Sequence, residues 1–489
     1  MFWNFEKISN LFLEANSGVL LDGKWGIERE SQRVTAMGKL ALTEHPQAFG
    51  SKLENPEITT DFSESQLELV TPPLSSVEET YKYLEELQSR VENELKDELL
   101  WPLSMPPILP CEEEIPIARF DDTEEGRAKE IYRLGLAVRY GKKMQMISGI
   151  HFNFSYGNEL LDTLYQKFGF NMEKQEFVNK VYFSMARNFL KYRWLLIYLF
   201  GASPSIDNSY LPVIQNELKT IKNCCPECCS PINSYEKFAT SLRVSRFGYS
   251  NAEQGKYSVS FNSLEEYIQG IKRLLSTRSD KFSKLGTYMD GKQIQLNDNI
   301  LQKESEFYSS IRLKQITAKG ESQLEALEKL GVKYAEVRIL DLDPFEKTGI
   351  SLNQMLFLQV FMLFCLFEQS EIISEKELIK INKNHHLAAL TGRKQRLMLY
   401  KYNNGPISLK EWGNEIFNKL DFIGALMDSQ GRSSKYQECI ALERMKLEDE
   451  SLLPSARIEE EMKARREKHF EFGIRKAKEH RNQKVLVSA

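Results

Sequence analysis

The chain has no surplus of positive charge. Its 489 residues carry 65 Lys and Arg against 69 Asp and Glu, for a net charge of -4. A nucleic-acid binder usually shows a basic excess, so no nucleic-acid partner is expected. Long apolar runs are also missing. The most hydrophobic stretches, Trp194–Phe200 and Met355–Phe367, fall short of the ~20 residues a membrane span needs. They read as buried helices, and no membrane partner is expected. The N-terminus, Met1-Phe2-Trp3-Asn4-Phe5-Glu6-Lys7, has no basic segment followed by an apolar one, so no signal peptide is read. Neither Gly-x-Gly-x-x-Gly nor a Walker-type Gly-x-x-x-x-Gly-Lys-Ser/Thr occurs, and Thr391-Gly392-Arg393-Lys394 is too short to replace them. A nucleotide would bind here without the common Gly-rich cradles. No nucleophile elbow and no Ser/His/Asp order is present, which points away from a covalent nucleophile. No internal repeat is apparent.

Cysteine is sparse. Cys111, Cys365 and Cys439 are scattered, and the other four sit in Cys224-Cys225-Pro226-Glu227-Cys228-Cys229. Cys-x-x-Cys is half a zinc site, and no second pair or nearby His completes it. The cluster is either a metal or redox element, or a loop with free thiols or an oligomer contact. This usage fits a reducing, cytoplasmic compartment.

What the chain does contain is a set of short alternating segments with acids on their polar faces. They are Gly26-Ile27-Glu28-Arg29-Glu30, Glu64-Ser65-Gln66-Leu67-Glu68-Leu69-Val70, His151-Phe152-Asn153-Phe154-Ser155 and Tyr334-Ala335-Glu336-Val337-Arg338. Residues two apart on a strand share a face. Glu28 then lies with Glu30, Glu64 with Gln66 and Glu68, His151 with Asn153, and Glu336 with Arg338. Leu67, Leu69, Phe152, Phe154, Val337 and Ile339 occupy the other faces. Carboxylates gathered on one surface repel unless cations sit between them, and hard divalent ions such as Mg2+ are the natural partners. Such a set beside arginines suits metal-assisted phosphoryl transfer from ATP. Bland alternatives remain: Glu28 and Glu30 as surface acids on an edge strand, His151 as a hydrogen-bonded core residue, Arg338 as a partner of Glu336 only. Spacing alone does not name the reaction.

The rest of the chain reads as α+β with a mostly antiparallel sheet. Helices are expected over residues 1–17, from Ser75-Ser76-Val77-Glu78 to about Asp97 with Ser76 as N-cap, from about Glu124 to Tyr140, as one long helix over 172–200, and over 263–276 and 351–369. Strands are expected at 24–35 and 64–71, and 205–240 reads as irregular. Residues 1–450 are taken as one catalytic domain. Residues 451–489 are taken as a charged helix or tail, dense in both signs from Glu459 to Lys484.

Several segments resemble bacterial-type glutamate–cysteine ligase. They are Gly26-Ile27-Glu28-Arg29-Glu30, Ile58-Thr59-Thr60-Asp61-Phe62, Trp101-Pro102-Leu103-Ser104-Met105-Pro106, Ile147 to Ser155, Leu199 to Pro204, Thr240-Ser241-Leu242-Arg243, and Glu336-Val337-Arg338 followed by Leu340-Asp341. They keep the same order over roughly residues 15 to 400. The resemblance implies a glutamine synthetase-like catalytic fold, a curved, mostly antiparallel sheet flanked by helices. It implies synthesis of γ-glutamylcysteine from L-glutamate, L-cysteine and ATP through a γ-glutamyl phosphate, the first step toward glutathione, with Mg2+ as cofactor. It makes Glu28, Glu30, Asp61, Glu68, His151 and Glu336 metal ligands, and turns Arg133 and Arg338 toward the phosphoryl group. Arg243 would help hold substrate, and Tyr132, Leu136, Gln145, Asn153, Tyr249 and Tyr308 would line the amino-acid sites. Gly392-Arg393-Lys394-Gln395-Arg396 departs from the family's usual Gly-Arg-Lys-Pro-Gly, and the stretch around the cysteines matches nothing in it. No second ATP-binding domain is read, so the chain is expected to stop at the dipeptide. The alternative readings are a related carboxylate–amine ligase with another amine acceptor, and a catalytically dead protein on the same fold.

Overall fold

Seven strands carry the site: β1 (Gly23–Thr35), β2 (Ile58–Thr60), β3 (Gln66–Val70), β4 (Glu98–Leu100), β5 (Ile150–Tyr156), β6 (Ile311–Lys314) and β7 (Tyr334–Leu340). Their order is β2-β3-β1-β5-β7-β6, with β4 on the far end of β1, and every pairing is antiparallel. The computed structural model describes residues 3–13, 18–222, 235–248, 253–401 and 405–483. The cysteine cluster and Tyr249 lie outside them.

The alternation seen in the sequence becomes two faces. Ile27, Leu67, Leu69, Phe152, Phe154, Val337 and Ile339 are all buried in one apolar core. Helix α1 (Val77–Glu94) packs on β1 and β3, helix α2 (Lys174–Tyr192) packs on β6, and α3 (Leu352–Phe367) packs on both helices. Helix α1 starts at Ser76, whose hydroxyl accepts the Glu79 amide, as its N-cap reading requires. Helix α3 is buried from Gln354 through Phe367. It is apolar all round because protein surrounds it. Among the described residues no helix is long and apolar enough to cross a membrane.

Three expectations need correction. The helix expected over 172–200 is two helices, Lys174–Tyr192 and Trp194–Phe200, separated at Arg193. Arg193 is buried and donates to Asn382 Oδ1, a tertiary bond that no local pattern announces. The stretch 205–240, read as irregular, holds a helix at Leu211–Lys222. Strand β3 begins only at Gln66, so Glu64 does not share the polar face with Glu68. Its carboxylate turns away to Lys52 Nζ at 2.6 Å and to the backbone amides of His45 and Arg119.

The charged C-terminal stretch forms α4 (Pro454–Arg465) and α5 (His469–Asn482). Arg475 pairs with Glu461, Glu467 and Glu479 on the outside. Ile458 and Phe472 pack inward against Trp101 and Val34. A Cβ at Gly473 would lie 2.1 Å from the Trp101 ring, so only glycine permits this approach. These helices brace the loop after β4, whose Ser104 accepts the Leu342 amide at the end of β7 and whose backbone carbonyl accepts the Ser148 amide before β5. Truncating Phe472 to Ala should cost about 3–5 kcal/mol of stability.

Candidate active site

The register lines the polar side chains up across the sheet. Glu30 on β1 faces Glu68 on β3, Glu28 faces His151 on β5, and Glu336 on β7 lies opposite Asn153 on β5 and Arg312 on β6. The β5–β7 register shifts between Ile150 and Phe152, at His151. A bulge of this kind re-aims the side chain it carries. His151 Nδ1 lies 2.8 Å from Glu28 Oε2 and 3.6 Å from Glu336 Oε1, and Nε2 lies 3.7 Å from Glu30 Oε1. One donor atom each from Glu28, His151 and Glu336 come within 4.8 Å of one another.

These residues floor a cavity of about 340 Å3. Glu28, Glu30, Asp61, Glu68, His151 and Glu336 line it, together with Arg133, Arg338, Arg243, Tyr132, Leu136, Gln145 and Tyr308. Tyr132, Arg133 and Leu136 come from the helix Glu124–Tyr140, which starts where the Thr123 hydroxyl accepts the Gly126 amide. Residues three and four apart share its inner face. Asn153 is not among the lining side chains. It stands behind Glu28 and donates to Glu28 Oε1 at 2.9 Å. Lys129, Lys303, Ser305, Arg312 and Lys314 also line the cavity, and sequence reasoning missed all five. Arg312 and Lys314 had a signal, because Ile311-Arg312-Leu313-Lys314 alternates like the acidic strands. Lys129 lies one helical turn before Arg133. Lys303 and Ser305 come from irregular backbone and had none.

Charge is divided along the floor. At one end, burial pushes the Glu68 carboxyl well up, and the charges of Glu28, Asp61 and Glu30 add to it. Glu30 is also raised, by burial and by Asp61. At the other end, burial alone would raise Glu336. The Arg338, Lys314, His151 and Arg312 charges outweigh it and hold the carboxyl far below its usual range. Arg338 Nη1 donates to Glu336 Oε1 at 2.8 Å, and Lys314 Nζ is 3.8 Å away. Glu28 lies between. Burial and Glu336 push it up, but the His151 hydrogen bond and charge bring it below the ordinary value. Among the described residues Glu336 Oε2 and Asn153 Oδ1 are buried without a hydrogen-bond partner. A cluster of five carboxylates and an imidazole, with an orphaned buried oxygen and acids raised by mutual repulsion, fits a hard divalent cation.

Arg133 is held rigidly. Nε donates to the Asp61 carbonyl, Nη2 donates to the Thr60 carbonyl at 3.3 Å, and the guanidinium lies over the Phe120 ring. Lys303 Nζ sits 4.3 Å from the centre of the Tyr132 ring. Tyr308 is anchored by reciprocal backbone bonds with the Gln254 amide.

An antiparallel sheet with carboxylates at one end of its polar face and guanidinium and ammonium groups at the other has the character of an enzyme floor suited to anionic substrates. The comparisons give that class a family. The family model for glutamate-cysteine ligase matches residues 8–388. A glutamate–cysteine ligase of Clostridium acetobutylicum is 56% identical over 476 residues, covering 97% of this chain and 99% of that protein. One from Pseudomonas aeruginosa is 40% identical over 474 residues, covering 97% and 88%. The crystal structure of glutamate–cysteine ligase from Francisella tularensis in complex with AMP superposes with a TM-score of 0.83 at 32% identity, covering 95% of this chain and 90% of that one. A bifunctional glutathione synthetase from Pasteurella multocida gives 0.74 at 28% identity, covering 97% of this chain and 53% of that one. The chain belongs to the glutamate–cysteine ligase family.

Proposed function

We propose that the carboxylate cleft is where this chain joins L-glutamate to L-cysteine at the expense of ATP, forming γ-glutamylcysteine in the first step of glutathione biosynthesis. The chain is an ATP-dependent ligase. One observation carries the placement of the chemistry: the unbroken polar row from Glu68 through Glu30, Glu28 and His151 to Glu336, ending in Arg338, Lys314 and Arg312. The sheet itself is read as the curved catalytic sheet of a glutamine synthetase-like fold, on the strength of its antiparallel order and its single carboxylate-lined face.

A free carboxylate is a poor electrophile, so the γ-carboxylate of glutamate first takes the terminal phosphoryl group of ATP. The cysteine amine then attacks the acyl phosphate, and phosphate leaves. Glu28, Glu30, Asp61, Glu68, His151 and Glu336 would hold Mg2+. When bound, Mg2+ neutralises phosphate oxygens and the charge that develops on them. Arg133 and Arg338 present fixed guanidinium groups to the transferring phosphoryl, where preorganised charge in a dry site acts most strongly. Bound to the Asp61 and Thr60 carbonyls, Arg133 needs no reorganisation during transfer. Tyr132, Leu136, Gln145, Arg243 and Tyr308 form the wall that orients the amino acids. Gln145 Nε2 is buried without a partner among the described residues, a donor ready for a substrate oxygen. Asn153 acts through Glu28, fixing its carboxylate.

The test is ADP release with Mg2+ and L-glutamate, with and without L-cysteine, and the mass of the product. Cysteine-dependent ADP release with γ-glutamylcysteine is expected. Release with a different amine only would move the error to the acceptor wall, and no release with any amine would overturn the reading.

A further inference from the structure

Arg243 reaches the cleft from a loop, which is a poor platform for a charge that must be placed accurately. The structure shows what holds the loop. Asp341, just beyond the end of β7, is almost completely buried, and its carboxylate gathers three segments. Oδ2 accepts the Ala202 amide at 2.8 Å and the Ser203 hydroxyl at 2.6 Å. Oδ1 accepts the Ser241 hydroxyl at 3.0 Å and lies 3.9 Å from Arg243 Nη1. The two serines face each other across a backbone β-bridge, with their hydroxyl oxygens 3.1 Å apart. The Ser203 oxygen accepts the Arg243 amide at 3.3 Å, and the Ser241 oxygen accepts the Val244 amide at 3.3 Å.

The guanidinium is confined as well. Nη2 donates to the Arg338 carbonyl at 3.1 Å, while Nη1 is buried and has no hydrogen-bond partner among the described residues. Gly149 leaves the space it occupies, because a Cβ there would sit 1.8 Å from Nη2. The same Gly149 donates its amide to Glu30 Oε2 at 2.9 Å. Arg243 is thus held against Gly149 and the Arg338 carbonyl of β7, with Nη1 in ion-pair range of Asp341 but without a hydrogen bond.

We propose that Asp341, acting through Ser203 and Ser241 and through its charge beside Nη1, is a positioning residue that fixes Arg243 so that its guanidinium meets the carboxylate of an amino-acid substrate. The proposal rests on the reading of Arg243 as a substrate-binding group. A bidentate or charge-assisted contact loses strength quickly with misplacement, so the loss should appear in one substrate's KM and not in all.

The experiment is a double-mutant cycle with D341N and R243A on the full-length enzyme, measuring kcat and the KM values for ATP, glutamate and cysteine, with thermal melting alongside. R243A is expected to raise the KM of one amino acid by about tenfold or more. D341N is expected to raise that same KM by about fivefold or more, with the ATP KM within about twofold, and to add little in the R243A background. If R243A moves no KM, the substrate-binding reading of Arg243 is wrong. If R243A moves one and D341N does not, or if the two effects add, the positioning proposal is wrong. If D341N does not fold, S241A removes a single hydroxyl and carries the same cycle, with a smaller shift of the same KM expected and additivity again counting against it.

Discussion

The two ends of the cleft floor are made from the same residue type and behave oppositely. Glu336 is fully buried and Glu68 half-buried, both glutamates on strands of one sheet. Glu68 is pushed up by burial and by Glu28, Asp61 and Glu30, whereas Glu336 is held down by Arg338, Lys314, His151 and Arg312 in spite of its burial. Among the described residues no Lys or Arg lies within ion-pair distance of the Glu68, Glu30 or Asp61 carboxylates, while Glu336 has two. At the basic end the chain supplies the neutralising charge itself. At the acid end only the more distant charge of Arg133 on Glu68, and those of His151, Arg243 and Arg338 on Glu30, oppose the repulsion, and they do not overcome it. A cluster of like-charged carboxylates with so little fixed counter-charge is costly to keep, and a bound divalent cation would remove that cost.

The comparison breaks most visibly at its centre, Glu28, and at its basic end, Glu336. Glu28→Gln and Glu336→Gln should each cut turnover by ~100-fold or more, the scale seen for removing one preorganised electrostatic group. Near-normal turnover in both would remove the cation assignment. At the acid end, Glu68→Gln should weaken Mg2+ binding by about tenfold or more. It should leave the melting temperature of the metal-free protein unchanged or higher, because it removes a repelled charge. A marked drop in metal-free stability would mean that Glu68 is neutralised inside the chain. The smallest effect belongs to the basic side. Burial, helped by Arg133 and Lys129, pulls Lys303 down to about 8. A lysine lowered on folding binds fewer protons than the unfolded chain, so its contribution to stability rises with pH from about 8 to the ordinary lysine range. Its usefulness to an anionic substrate runs the other way, since the charge is lost over the same interval. The kcat/KM for the anionic substrate that Lys303 faces should fall by up to about eightfold between about pH 7.5 and 9, and Lys303→Arg should flatten that fall. An identical profile in the variant would place Lys303 outside the anion path.

The acid end was the more legible half. Glu28, Glu30, Glu68 and His151, with Glu336 at the other end, announce themselves because strand alternation is strictly two-residue, so polar parity survives without any tertiary information. The same parity misplaced Glu64, since a strand that starts at Gln66 cannot orient a residue in the turn before it. Asp61 lies in that turn region as well, and only the family resemblance reached it. The basic end was half legible. Arg312 and Lys314 alternate in a four-residue strand too short to stand out, and Lys303 is delivered by loop backbone that has no period to read. At Arg193, where the two helices meet, the side chain is tied to Asn382, far away in the sequence, a contact that no local propensity encodes.

The most direct measurement is equilibrium binding of Mn2+, as a paramagnetic stand-in for Mg2+, to the substrate-free protein by electron paramagnetic resonance, for the natural sequence and for Glu28→Gln. The account predicts Mn2+ bound by the natural protein, displaced by Mg2+, and lost or strongly weakened in Glu28→Gln. No bound Mn2+, or equal binding by Glu28→Gln, would contradict it.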